Sequence, residues 1–119
     1  MNSSAQSGKP ADEALSRVID GLWARFLPEI RDRVAVLEAA ASDVAAGKLT
    51  DSARAEAESV AHKLAGILGT FNLTRGTVLA RELEMTFSRE SSPSAADGDR
   101  LVVIVAEIRT MVENRPSAS

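Results

Sequence analysis

Apolar residues recur every three or four positions along most of the chain, and no stretch alternates apolar and polar residues in the manner of a strand. This pattern predicts five helices, over 11–27, 28–46, 51–71, 75–89 and 93–114. Short connections between long amphipathic helices are typical of antiparallel neighbours. We therefore predict an all-α fold, an antiparallel four-helix bundle with an additional N-terminal helix.

Single residues mark the ends of these helices. Pro28 has no backbone N–H and predicts a break or kink between the first two helices. Gly47 is a suitable stop for the second helix, and Thr50 is a suitable N-cap for the third. Asn72 tolerates the left-handed backbone conformation that ends a helix. The second and fourth predicted helices are expected to bury Ile30, Val34, Leu37, Ala41, Val44, Val78, Leu79, Leu83 and Phe87.

Length and composition restrict the class of protein. A chain of 119 residues is long enough for one domain with one core. The net charge of −3 and the lack of a basic block disfavour nucleic acid as a partner. The chain has no cysteine and one histidine, which excludes disulfides, thiolate chemistry and metal sites rich in cysteine or histidine. We expect a disordered leader over 1–10, a helical domain over 11–114 and a disordered tail over 115–119.

No apolar run approaches the roughly 18 residues that a membrane span needs, and the N-terminus has no hydrophobic signal core. The sequence therefore predicts a cytoplasmic protein with no membrane partner.

The single histidine, His62, falls in the third predicted helix. On a helical projection the apolar stripe lies on the far side from it, made of Ala53, Ala57, Val60, Leu64, Ile67, Leu68 and Phe71. Within about 60° of His62 lie only Ala55, Glu58, Ser59, Ala65, Gly66 and Gly69. We therefore predict that the imidazole points away from the core, among small neighbours.

Gly66 and Gly69 need a reason, because a glycine inside a helix costs about 1 kcal/mol relative to alanine. Close approach of another surface to the helix backbone is one such reason. That surface could be a neighbouring helix of the same molecule or a docking partner. The two glycines lie on the His62 side of the helix, opposite the predicted core, and this position favours a docking partner. Geometry alone leaves both explanations open.

The run from Ala61 to Glu84 resembles the histidine-containing phosphotransfer (HPt) domain of two-component signalling. The positions that match the family's pattern are His62, Leu64, Gly66, Gly69, Leu79, Ala80, Leu83 and Glu84. Two positions depart from it: Ala65 stands where the family usually has a lysine, and Asn72 replaces a later glycine.

The resemblance implies that His62 accepts a phosphoryl group from the aspartate of one receiver domain and passes it to the aspartate of another. The chain would then be a phosphocarrier rather than an enzyme. It would need no cofactor of its own, since Mg²⁺ is expected in the receiver's acidic pocket. The implied partners are response-regulator receiver domains or a hybrid histidine kinase, and the implied state is a monomer.

Several neighbours are candidates to support His62. Lys63 is the obvious replacement for the missing lysine, with Arg54 as a weaker candidate, although a solvated surface lysine is an equally good reading. Glu58 and Ser59 lie one turn earlier and are predicted to accept the Nδ1 proton, which leaves Nε2 as the attacking atom. Ala65, Gly66 and Gly69 would leave the surface around His62 free of bulky side chains, so that a docked receiver could come close to the ring.

Two other functions stay open. The first is a helical adaptor with an HPt-like fold that binds a receiver or kinase without being phosphorylated, which the alanine at position 65 permits. The second is a helical bundle that holds a cofactor or metal, which would need several facing ligands that the sequence does not supply.

Overall fold

A computed structural model describes residues 3–116, with the side chains of residues 11–116. It contains the four helices α1 (Ser3–Ala45), α2 (Asp51–Thr70), α3 (Thr74–Thr86) and α4 (Gly98–Glu113), with a 3-10 turn over Ala95–Asp97 before α4. No strand occurs in this part of the chain. The all-α prediction is confirmed for these residues.

Of the break or kink predicted at Pro28, the break is wrong. The first two predicted helices form the single helix α1, which runs through Pro28 without interruption. A proline inside a helix costs about 3 kcal/mol, because it removes a backbone hydrogen bond and crowds the preceding turn. Trp23 and Ile30, on either side of Pro28, are both buried against the bundle. Packing on both sides therefore outweighs the local cost, and there is no separate additional N-terminal helix.

The ends of the chain differ from the sequence prediction. Residues 3–10, expected to be a disordered leader, form the first turns of α1. Arg115, the first residue of the expected tail, packs against α1, with its Nη1 atom 3.2 Å from Asp20 Oδ1. Its guanidinium also lies 5.0 Å from the centre of the Trp23 ring. The rest of the predicted leader and tail, residues 1–2 and 117–119, lies outside the described residues.

The core fills the space between the four helices. Its largest fully buried side chains are Phe87, Ile30, Leu37, Leu64, Leu68, Leu79, Leu83, Leu101, Ile104, Ile108, Val34 and Val105. The buried ridge predicted for residues 28–46 is confirmed in full. Val78 is the exception among the predicted inward residues of α3, since it is 53% exposed. It lies about 100° round the helix from the buried Leu79 and so points to solvent.

Three of the predicted local signals set helix ends, whereas α4 begins at Gly98 and not at the predicted position 93. The Thr50 side chain accepts a hydrogen bond of 3.1 Å from the backbone N–H of Ala53 at the start of α2. Gly47 and Asn72 both have left-handed backbones, with φ angles of 69° and 61°. These residues turn the chain sharply after α1 and α2. α2 and α3 consequently lie side by side as an antiparallel pair.

No helix among residues 3–116 is long and apolar enough to cross a membrane.

Candidate functional site

His62 lies near the middle of α2, on an exposed face of the helix. Its side chain is 68% exposed, while Leu64 and Leu68 on the other face of the helix are buried. The core stripe of α2 fixes this direction, because burying that stripe leaves the opposite side of the helix in solvent. The imidazole therefore projects from the bundle, as the sequence predicts.

The small residues around His62 divide into two groups. Gly66 is exposed, and a Cβ atom added there would meet nothing within 4 Å. At Gly69 an added Cβ would lie 3.3 Å from Thr77 Oγ1 on α3. Gly66 thus leaves open surface beside the histidine. Gly69 instead admits a neighbouring helix of the same molecule.

The prediction that Ala65 shares the exposed face of His62 is wrong. Ala65 is only 1% exposed, and Thr77 Oγ1 donates a hydrogen bond of 3.1 Å to its carbonyl oxygen. α3 covers this side of α2. A projection of α2 alone does not show that α3 covers this side of the helix. The exposed patch of small residues beside His62 is therefore narrower than predicted and centres on Gly66.

The carboxylate that contacts His62 comes from α3. Glu84 Oε2 lies 2.8 Å from Nδ1 of the imidazole, and the Glu84 side chain is partly buried between the helices. An ionised carboxylate only accepts hydrogen bonds, so this contact assigns the proton of a neutral ring to Nδ1. The Nε2 atom is then left with its lone pair.

Glu58 and Ser59 do not take the place predicted for them at Nδ1. The Glu58 carboxylate instead accepts a hydrogen bond of 3.2 Å from Arg54 Nη1. Ser59 is exposed and has no side-chain partner among the described residues. The contact made by Glu84 depends on the pairing of two helices, which the sequence around His62 does not encode. The sequence offers one indication of this contact: Glu84 is the last residue of the run that resembles the HPt family.

Arg54 serves the fold rather than the histidine. It is 7% exposed, and it donates hydrogen bonds to Asp51 Oδ1 at 2.9 Å and to the Phe87 carbonyl oxygen at 2.7 Å, in addition to its contact with Glu58. It thereby joins the start of α2 to the end of α3. The hydrogen bond from Arg54 also holds the pKa of the Asp51 carboxyl below its ordinary value.

Two exposed cations lie on the two helices that meet at the contact between His62 and Glu84. Lys63 follows His62 on α2, about 100° round the helix and on the side away from Ala65 and α3. Arg81 lies on α3, one turn before Glu84, and sequence reasoning missed it. Neither side chain has a partner among the described residues. Arg81 and Glu84 share the wall of an open cavity of about 440 Å³, which is also lined by Glu58, Met85, Ser88, Glu90 and Ser91.

Within the described part of the chain, no group of three or more histidine, cysteine, aspartate or glutamate side chains is placed to hold a metal ion.

The chain is similar to known proteins over part or most of its length. Protein RcaC of Microchaete diplosiphon is 40% identical over 62 residues, which cover 52% of this chain and 10% of that protein's length. The chain thus corresponds to a small part of that relative. No solved structure gives a significant match. The sequence model of the Hpt domain matches residues 21–117, which is most of the chain. The protein therefore belongs to the Hpt domain family.

Proposed function

We propose that this protein relays a phosphoryl group between aspartates of response-regulator receiver domains, with His62 as the residue that carries it. Membership of the Hpt family supports a phosphotransfer role in two-component signalling. One observation carries the finer assignment: the His62 ring is exposed, and Glu84 holds its Nδ1 atom at 2.8 Å. This contact supports Nε2 as the nucleophile, because Nδ1 is the ring nitrogen bound to Glu84.

The chemistry requires one bond to form as another breaks. The Nε2 lone pair of His62 attacks the phosphorus of an aspartyl phosphate, the bond from phosphorus to the aspartate oxygen breaks, and the aspartate leaves as a carboxylate. The imidazole gains positive charge as the N–P bond forms. The carboxylate of Glu84 stabilises this charge through the Nδ1 proton. Transfer to a second receiver reverses these steps, with that receiver's aspartate as the nucleophile.

The neighbours of His62 then have separate roles. Gly66 leaves room for the rim of the receiver's pocket to come close to the ring. Ala65 and Gly69 act indirectly, because their small size lets α3 pack on α2 and brings Glu84 to the histidine. Lys63 and Ser59 border the open side of the ring. Glu58 keeps Arg54 in place and so holds the two helices together. Mg²⁺ would be supplied by the receiver.

A second function is an adaptor that binds a receiver or kinase without carrying phosphate. The observation in its favour is that position 65 holds a buried alanine and offers no cation beside the ring. Both functions predict receiver binding. They differ in whether His62 becomes phosphorylated.

Incubation with radiolabelled, phosphorylated receiver domains tests the proposal. We expect acid-labile label on the wild type, no label on His62→Gln, and normal labelling of Ser59→Ala, a change of an exposed neighbour. Label that survives His62→Gln would refute the site. Receiver binding without any label on the wild type would establish the adaptor instead.

A further inference from the structure

The charge around His62 does not suit a bound phosphoryl group. A phosphoryl group carries close to two negative charges at neutral pH. The ring contacts a carboxylate, Glu84, at 2.8 Å, and Glu58 and Glu90 line the cavity that Glu84 also lines. Phosphoryl transfer depends mainly on positioning and on neutralising charge. A cation of this chain close to the ring would neutralise part of that charge in addition to the receiver's Mg²⁺. An exposed residue without a carboxylate partner is best able to supply it.

Most arginines of the bundle are already engaged with carboxylates. The ion pairs on the surface join Arg31 to Glu113, Arg75 to Glu107, Arg100 to Glu82 and Arg109 to Glu38. Arg54 is buried and bonded to Asp51, Glu58 and the Phe87 carbonyl. Arg81 differs from all of these, because it is exposed and its guanidinium has no partner among the described residues.

The pairing of α2 with α3 brings Arg81 to the level of the histidine. Along this antiparallel pair, Thr77 contacts Ala65 and Glu84 contacts His62. Arg81 lies between Thr77 and Glu84 on α3, so it stands opposite the part of α2 that begins at His62. It precedes Glu84 by three residues, a spacing that puts two side chains on neighbouring positions of one helix face. Both side chains line the same open cavity.

We propose that the Arg81 guanidinium binds the phosphoryl oxygens on His62 during transfer. Glu84 and Arg81 then act together from α3, with Glu84 holding Nδ1 and Arg81 neutralising the phosphoryl group on Nε2. A guanidinium donates two parallel hydrogen bonds to adjacent phosphoryl oxygens, and it stays charged at any physiological pH. Lys63 lies on the other side of the ring and serves as the competing candidate. This assignment rests on the proposed function.

The test compares Arg81→Gln and Arg81→Lys with Lys63→Gln and with Arg25→Gln, an exposed arginine of α1 without a partner among the described residues. Each variant is mixed with increasing concentrations of a phosphorylated receiver. Two quantities are read: the maximal rate of phosphoryl transfer and the receiver concentration that gives half of that rate. Thermal unfolding of each variant shows whether the fold is kept.

We expect Arg81→Gln to lower the maximal rate about tenfold, since losing a charge-assisted hydrogen bond has an effect of this order. The half-saturating concentration and the melting temperature should stay close to those of the wild type. Arg81→Lys should recover part of the rate, because the charge returns without the paired geometry. Arg25→Gln should remain within about twofold of the wild type, the range expected for a solvated surface charge. Lys63→Gln should lose less of the maximal rate than Arg81→Gln.

A second measurement needs no receiver. Phosphoramidate, a small phosphodonor, is used to phosphorylate His62, and the lifetime of the phosphohistidine is followed by ³¹P NMR. Arg81→Gln should change this lifetime and Arg25→Gln should not.

The outcomes that overturn the proposal are distinct. If Arg81→Gln transfers at the wild-type rate while Lys63→Gln is slow, the cation is Lys63. If Arg81→Gln changes only the half-saturating concentration, Arg81 contacts the receiver and not the phosphoryl group. If the wild type takes no phosphate from any donor, the proposed function itself fails.

Discussion

The Nδ1 atom of His62 and a carboxylate oxygen of Glu84 lie 2.8 Å apart across the interface between α2 and α3. The exposed ring is thereby tied to a second helix, whose own position is fixed by the buried residues Leu79 and Leu83. The orientation of the ring thus depends on the packing of the core. This support suits the role proposed for His62, because a nucleophile on a rigid element is held close to the geometry that transfer requires.

Replacing Glu84 should impair phosphoryl transfer without unfolding the protein. Glu84→Ala removes both the orienting contact and the negative charge, and we expect transfer to slow by roughly tenfold or more. Glu84→Gln keeps a hydrogen-bond acceptor and should slow transfer less. ¹⁵N NMR of the imidazole should show Nδ1 losing its share of the proton in Glu84→Ala. Glu90→Gln, an exposed carboxylate of the same cavity, is the control; an equal loss in that variant would argue against a specific role for Glu84.

Gly66 should tolerate a side chain in the free protein but not in the complex with a receiver. Gly66→Ala adds a Cβ atom in open space, and we expect it to stabilise the protein by about 0.5–1 kcal/mol in urea denaturation. Gly66→Trp should also fold, yet its bulk should obstruct the docked receiver and slow transfer strongly. Full transfer by Gly66→Trp would show that the receiver does not approach over this glycine.

Gly98→Ala should have the opposite effect on stability to Gly66→Ala. At the start of α4, a Cβ atom on Gly98 would lie 2.5 Å from the Cα atom of Ala45. The backbones of α1 and α4 would have to separate, and Gly98→Ala should destabilise the protein by about 1–3 kcal/mol. Comparing Gly66→Ala with Gly98→Ala under the same conditions separates helix propensity from steric contact. A stabilising Gly98→Ala would contradict the close approach of the two helices.

Stability should fall in acid because of the ion pair between α1 and α4. Arg109 donates hydrogen bonds of 2.6 and 2.8 Å to Glu38, which hold the pKa of this carboxyl below its ordinary value of 4.5. Between that lower pKa and 4.5 the unfolded chain binds more protons than the folded one, so stability rises with pH in this window. The contribution is complete above about pH 4.5 and is lost as the pH falls through the pKa of the folded state.

Glu38→Gln should therefore flatten the dependence of the unfolding free energy on pH below about 4.5. At neutral pH the substitution should cost no more than about 1 kcal/mol, since more than a third of each side chain in the pair remains exposed. Thermal melts from pH 3 to pH 7 measure both effects. An unchanged slope in acid would assign the pH dependence to other carboxylates, of which Glu113 is the next candidate, because its hydrogen bond from Arg31 lowers its pKa too.

Periodicity predicted the helices and most of the core because it records which face of each helix is buried. It succeeded for the ridge of α1 and for the outward direction of His62. The break expected at Pro28 came from a local helix-breaking signal and not from periodicity, and packing on both sides of the proline outweighed that signal. Periodicity failed at Val78, which lies just outside the buried face of α3.

The site was less predictable than the fold because its partners come from two helices. The projection of α2 alone pointed to Glu58 as the partner of His62, whereas that carboxylate is bonded to Arg54. The burial of Ala65 and the contact from Glu84 both follow from the way α3 lies on α2. Distances of this kind are set by tertiary packing, and the residue order within one helix does not contain them.

The most direct measurement is the position of the phosphoryl group on the His62 ring. The protein is phosphorylated by a receiver domain, and ¹⁵N and ³¹P NMR then identify which ring nitrogen carries the phosphorus. With Nδ1 held by Glu84, the phosphoryl group should be on Nε2. A phosphoryl group found on Nδ1, or on any residue other than His62, would contradict the account.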